Sequence, residues 1–327
     1  MKFKYQRKYQ DADWKGRLKE ILTGFERISF NRTYKVKVSH KTIQKRRDVM
    51  YLSFDTLRKQ GFKINDPLNI KPKHIEHLVA FWVGESLSAS TISNRISIIN
   101  IFLKFIGKEI MVKSPQDYVD DPKTVKRTYV NTEDKSWSAK EIEINEKVQK
   151  ASELDTYSAM HLELMFAFGL RVQESIALQP YKSDYREYLL VMHGTKGGRT
   201  RIVHIDNDIK KDVLARAKAL CGEIGNNMTH PDRTLLQEIN RFYYVMRTLG
   251  LTKAELGVTA HGLRHQYLND VYEDITGHPS PVRGGEILDK DLDEQARLFT
   301  MLEAGHGRTN VGANYYGSAK APKNQPS

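Results

Sequence analysis

A chain of 327 residues with 39% hydrophobic and 28% charged positions has room for two domains with separate cores, and it holds no run near the ~18 apolar residues of a membrane span. One cysteine, Cys221, excludes an internal disulfide and any cysteine-cluster zinc site. The net charge of +12 is uneven: residues 1–130 hold 27 Lys and Arg against 13 Asp and Glu, and the rest hold 25 against 27. A basic first part suits a polyanion partner, though a generally basic soluble protein is the plainer reading. Charges without an apolar segment behind them open the chain, so no signal peptide is expected and the location expected is cytoplasmic, at the nucleoid.

Residues 1–37 form a basic, aromatic segment. Leu18, Ile21, Leu22 and Phe25 predict a helix over Asp13–Ile28, which reads equally as a DNA-touching arm or a packing helix. Three helices follow in a unit spanning 38–115. The first runs from the cap Ser39 to Gln60, the second from Lys73 to Leu87, and the third from Ser88 to Gly107. Lys41, Lys45, Arg46, Arg47 and Arg95 are its candidate DNA contacts; a charged helix face is also what solvent alone would favour. Periodicity fades after 108, and residues 116–137 read as a basic linker containing Pro122, Lys123, Lys126 and Arg127.

The second domain, 138–318, opens with Ser138 and Glu141 spaced as a capping box and with Trp137 and Ile142 as a hydrophobic staple. A helix over Thr156–Phe168 stops at Gly169. Strands over Leu189–His193 and Thr200–Ile205 flank a Gly-rich turn. Helices follow over Asn207–Leu220, Asp232–Leu249 and His261–Asp274. A Pro/Gly-rich loop, Gly277–Glu286, precedes helical pieces over Leu292–Ala304 and Val311–Tyr316, and residues 319–327 read as a tail. The fold class expected is mainly α with a small β-sheet.

The chemistry-bearing residues are scattered along this domain. His261, Arg264 and His265 share a helix face. A histidine pair four apart can bind zinc, but no third ligand has recognisable spacing, and a guanidinium between imidazoles suits a phosphate better. Arg171 follows the apolar FAFGL beside a core, where it needs an anion; Glu174 is its expected internal partner, and an ordinary structural ion pair is, for these two residues alone, the favoured reading. Lys196 stands at a hairpin tip, a place for an exposed lysine or for a mobile general acid. Tyr315 and Tyr316 follow His306, and adjacent tyrosines on a helix point in different directions, so one of them is expected to face a site.

In this order, with GLRVQES, GTKGGRTRIVHI, HGLRH and GHGRTNVGANY, the sequence resembles the tyrosine recombinase (phage integrase) family, most closely integrases of bacterial mobile elements. The resemblance implies a helical core-binding domain and a mixed α/β catalytic domain that close around double-stranded DNA. It implies a homotetramer on two recombination sites, with room for accessory proteins that bend DNA or set direction. It implies strand cutting through a 3'-phosphotyrosyl intermediate without metal or cofactor, in the service of integrating and excising a mobile element. Arg171, Arg264 and His306 would hold the scissile phosphate, His261 would assist, Lys196 would protonate the leaving 5' oxygen, and Tyr315 would attack, with Glu174 and His265 in support. The 42 positions from Arg264 to His306 exceed the family's usual spacing, and Gly312 stands where a threonine is common. Rival readings are a type IB topoisomerase, a dimer resolvase and a catalytically silent DNA-binding protein on the same fold.

Overall fold

Apolar residues at helical spacing build most of this chain. The computed structural model describes residues 13–25, 38–195, 198–305 and 312–317, so the segments 1–12 and 26–37, Lys196, His306 and the tail 319–327 lie outside the described residues. The chain divides into two compact units, residues 1–128 and 129–327. Among the described residues no helix is long and apolar enough to cross a membrane.

The first unit is helical. It comprises α1 (Trp14–Phe25), α2 (His40–Lys59), α3 (Pro72–Gly84) and α4 (Ala89–Phe105). Ser39 caps α2 as the sequence predicts, its side chain accepting from the Thr42 amide, and Ser88, expected as the first residue of its helix, caps α4 by accepting from the Thr91 amide. Phe25, Phe54 and Phe102 meet edge to face at the centre, ringed by isoleucines of α3 and α4. The stretch expected to be a linker is partly folded. Short 3₁₀ turns at Glu109–Met111, Pro115–Tyr118 and Pro122–Val125 lie in this unit, and buried Met111 and Val125 anchor them in its core. Within 116–137 the buried Val125 decides against an open linker, although the composition is polar.

The second unit contains α5 (Ile144–Leu154), α6 (Thr156–Phe168), α7 (Val172–Ala177), α8 (Pro180–Ser183), strands β1 (Tyr188–Val191) and β2 (Arg201–His204), then α9 (Asp208–Cys221), α10 (Leu235–Thr248), α11 (Ala260–Thr276), α12 (Lys290–Glu303) and α13 (Ala313–Tyr316). The expected class, mainly α with a small sheet, is the class observed. The capping box expected at Ser138 is absent: Ser138–Lys140 is a 3₁₀ turn, Glu141 adopts a left-handed backbone, and α5 begins only at Ile144. Trp137 is buried, but its indole N–H donates to the Thr259 carbonyl.

Helix α6 is apolar on nearly every side, which suits an element packed all round, and α5, α7, α9, α10 and α11 surround it. It ends at Gly169 with φ +57°, where a Cβ would stand 2.4 Å from the Tyr267 ring. Glycine is required there twice over, and the sharp end delivers Arg171 to the head of α7. In the hairpin, β1 pairs antiparallel with β2, Tyr188 opposite His204 and Val191 opposite Arg201. Alternation turns Arg201 and Val203 inward and Ile202 and His204 outward. An arginine on the buried face must find partners.

Candidate functional site

Glu174 is the hub. It is 0% exposed and stands at the third position of α7, from which its carboxylate reaches back to the residue before the helix. The Arg171 amide donates to Oε2 at 2.8 Å and Arg171 Nη1 to Oε1 at 2.5 Å. Arg201 Nη2 donates to Oε2 at 2.8 Å, and Arg264 Nη1 lies 3.9 Å from the same oxygen. Burial alone would raise this carboxyl; Arg201, Arg171 and Arg264 outweigh it and hold Glu174 at about 2.

The arginines also meet on the backbone that leads to His306. The Ala304 carbonyl accepts from Arg171 Nη2 at 3.3 Å and from Arg264 Nη2. Arg264 Nη1 donates to the Gly169 carbonyl at 2.6 Å, and Arg201 Nη1 donates to the Glu303 carbonyl. Arg264 is 1% exposed, and its Nε has no hydrogen-bond partner among the described residues. Burial, then the neighbouring Arg201, lowers it to about 10, while Tyr315 favours its charged form, so it stays a cation at neutral pH.

Tyr315 lies against the histidine face of α11. Its ring centroid is 4.7 Å from His265 and 6.2 Å from His261. Tyr316 faces elsewhere: it is fully buried, stacked on Tyr272 at 5.2 Å with the Arg297 guanidinium over its ring. The expectation that one tyrosine of the pair faces this cluster therefore agrees with the geometry. Gly262 lets α11 approach closely, since a Cβ there would come 2.5 Å from the Lys135 carbonyl and 2.9 Å from the Trp137 ring.

His265 is buried and pushed down to about 3, by desolvation first, then by His261, Lys135 and Arg264. His261 is drawn below its ordinary value by desolvation, Arg264, Arg171 and Lys135, but its ring is exposed and water screens part of the effect. Both rings are neutral at pH 7. The sign of the linkage follows. An unfolded histidine protonates near pH 6.5 and the folded His265 only near 3, so falling pH favours the unfolded chain across that window. Compared with wild type, His265→Asn should lose about 2 kcal/mol less stability between pH 6.5 and 4.5 in urea titrations. Parallel pH slopes would refute that account of His265.

Lys196 and His306 lie outside the described residues, but the segments leading to them do not. Gly194, with φ +72°, packs so tightly that a Cβ would meet the Gln173 carbonyl at 2.3 Å. Gly305, with φ +65°, presses on Arg201 Cδ, 2.8 Å from where its Cβ would be. One approach thus packs on the backbone of α7 beside Glu174, and the other on Arg201. Among the described residues no three His, Cys, Asp or Glu side chains group as metal ligands.

Arg201 and Glu303 were not singled out by motif. Glu303 is buried, and its carboxylate accepts from the His204 amide at 2.9 Å and from the Tyr267 hydroxyl at 2.8 Å, with His204 Nδ1 2.8 Å away. The available signal was Arg201 on the inward phase of a strand. In the first unit Lys41, Lys45 and Arg47 are exposed. Arg46 is not on the open face expected of it: it is 7% exposed, its guanidinium 5.5 Å over the Phe25 ring. Arg95 is half-buried, 5.0 Å over Trp82. Flat guanidiniums beside aromatic rings gain more from stacking than from standing free.

Residues 33–112 match the family described as phage integrase, N-terminal, and residues 129–270 match the one described as integrase. The chain belongs to the tyrosine recombinase (phage integrase) family. A curated relative, tyrosine recombinase XerC of Chromobacterium violaceum, is 27% identical over 167 residues, which are 49% of this chain and 53% of XerC. The chain thus spans about half the length of that relative. Among solved structures, a lambda integrase tetramer bound to a Holliday junction is similar with a TM-score of 0.60 at 15% identity, covering 95% of this chain and 80% of that one. The Tn1549 transposon integrase in complex with transposon right end DNA gives 0.53 at 13% identity, with 94% and 96% covered. XerH recombinase bound to a palindromic difH substrate gives 0.55 at 14%, with 95% of each chain covered. At these identities the likeness is one of fold, and it is the tyrosine recombinase fold.

Proposed function

We propose that this protein is a site-specific DNA recombinase that cuts and rejoins double-stranded DNA through a 3'-phosphotyrosyl link to Tyr315. One observation carries the reading. Arg171 and Arg264, from separate segments, donate to the same Ala304 carbonyl, with a third guanidinium close by and Glu174 the carboxylate they share, while Tyr315 lies on the helix face that carries Arg264's neighbours His261 and His265. Cations gathered on a neutral acceptor are arranged for an anion. A phosphodiester brings two non-bridging oxygens that share one negative charge and satisfy those donors better than a carbonyl does.

In the proposed step the Tyr315 hydroxyl gives its proton to the neutral His261 as its oxygen attacks phosphorus, the P–O5' bond breaks, and Lys196 gives a proton to the leaving oxygen. Arg171, Arg264 and His306 take the charge on the equatorial oxygens, and His261 assists. Rejoining reverses the step with a 5' hydroxyl as nucleophile. The phosphotyrosine conserves the diester's energy, so the cycle is balanced by the residues and DNA alone. The basic unit would grip the duplex, since it holds the chain's whole positive excess. Relatives of the same fold were solved as a tetramer on a Holliday junction and on transposon-end DNA, which supports a tetramer acting for a mobile element.

The test is covalent trapping. The protein is mixed with labelled DNA carrying the flanks of its own gene, nicked to strand the cut product, and quenched in denaturant. Label should remain on the protein, and peptide sequencing should place it on Tyr315. DNA binding with no adduct would instead favour a silent DNA-binding protein.

A further inference from the structure

The long segment between Arg264 and His306 holds a buried polar chain that ends on Tyr315. Asn269 lies one turn beyond His265 on α11 and is fully buried, as is Ser280 in the following loop. The Asn269 amide nitrogen donates to the His265 carbonyl at 2.8 Å and to the Tyr315 carbonyl at 3.3 Å. Two carbonyl acceptors on that side fix the amide's orientation, so its oxygen is left to accept the Ser280 hydroxyl at 2.5 Å. Ser280 also opens the 3₁₀ turn Pro281–Arg283, which packs against α13. Val282 of that turn stands where a Cβ at Gly317 would come within 3.3 Å. Arg283 moors the turn to Asp270 at 2.7 Å and to Asp134 at 3.3 Å.

Helix α13 is a single turn of four residues, too short to hold itself. Its placement comes from outside partners, and the Ser280–Asn269 pair grips the carbonyl of the very residue that would attack. We propose that Ser280 and Asn269 are positioning residues and that the loop around Ser280 is a latch fixing Tyr315 for attack. The proposal rests on the reading of Tyr315 as nucleophile. Removing the hydroxyl leaves the buried Asn269 amide oxygen without its donor, which loosens the amide and with it the hold on the Tyr315 carbonyl. In-line attack tolerates little displacement.

The comparison is Ser280→Ala against Ser280→Thr, which keeps the hydroxyl. Ser280→Ala should lower the rate of adduct formation at saturating DNA by about tenfold, with affinity for DNA unchanged. Ser280→Thr should regain most of that rate. An unaltered rate in Ser280→Ala, or an equal loss in both variants, would overturn the latch. A readout free of activity separates this inference from its premise. With 3-fluorotyrosine throughout, the residue-315 line is the ¹⁹F resonance missing from Tyr315→Phe. Ser280→Ala should shift or broaden that line while the other tyrosine lines stay, and an undisturbed line would also overturn the latch. A Tyr315→Phe protein that still forms the adduct would sink the nucleophile assignment instead, with the ¹⁹F spectrum still deciding the latch.

Discussion

Tyr315→Phe should abolish the covalent adduct, a loss on the order of 10³-fold or more, while the same change one residue later should leave it intact. Both rings are buried, so both phenylalanines keep the packing. The difference lies in what each ring faces. Tyr315 lies on His265 and close enough to Arg264 for its charge to be felt there. Tyr316 is wedged between Tyr272 and Arg297, and burial raises its hydroxyl well above the ordinary phenol range, the wrong direction for a nucleophile. Tyr316→Phe should cost less than about 1 kcal/mol and keep cleavage near wild type. Adduct assays on the two variants, with melting curves as a control, are sufficient. Cleavage lost only in Tyr316→Phe would reverse the assignment and the mechanism built on it.

The sequence was legible where local chemistry decides structure. Ser39 and Ser88 cap helices because a hydroxyl can take an amide at that spacing, and Gly169 ends α6 because a left-handed residue is needed. It misled where a local signal met a tertiary competitor. Ser138 and Glu141 have capping-box spacing, yet the buried Trp137 and its bond to Thr259 set the backbone there, and the helix starts later. Val125 alone among polar neighbours gave no periodic signal, but a buried valine is enough to hold a turn. Arg46 looked like a DNA contact from composition, and only packing shows that Phe25 covers it. The HGLRH run gave the α11 face directly. Arg201 and Glu303 meet across elements distant in sequence, so no spacing rule could pair them.

Glu174→Gln should weaken both the fold and the chemistry, and pH separates the two. The carboxylate balances three guanidiniums at the heart of the unit, and loss of its charge leaves them repelling one another. At neutral pH the cost should be roughly 3 kcal/mol, with cleavage down on the order of 10²-fold because Arg171 and Arg201 lose the anchor that aims them. The sign of the pH effect is fixed by the direction of the shift. The folded carboxyl sits at about 2 against an ordinary 4.5, so the stability it contributes is fully present above about pH 4.5 and is lost as pH falls toward 2. Urea titrations should therefore show wild type and Glu174→Gln converging as pH falls from 5 to 2. His265 also destabilises the fold on acidification, but it does so in both proteins and cancels in the difference. Convergence with a persistent cleavage defect at pH 7 would mean that the carboxylate aims the arginines as well as neutralising them. A constant stability gap down to pH 2 would mean that its charge is not what holds them, and the cluster would have to be explained by the Ala304, Gly169 and Glu303 carbonyls instead.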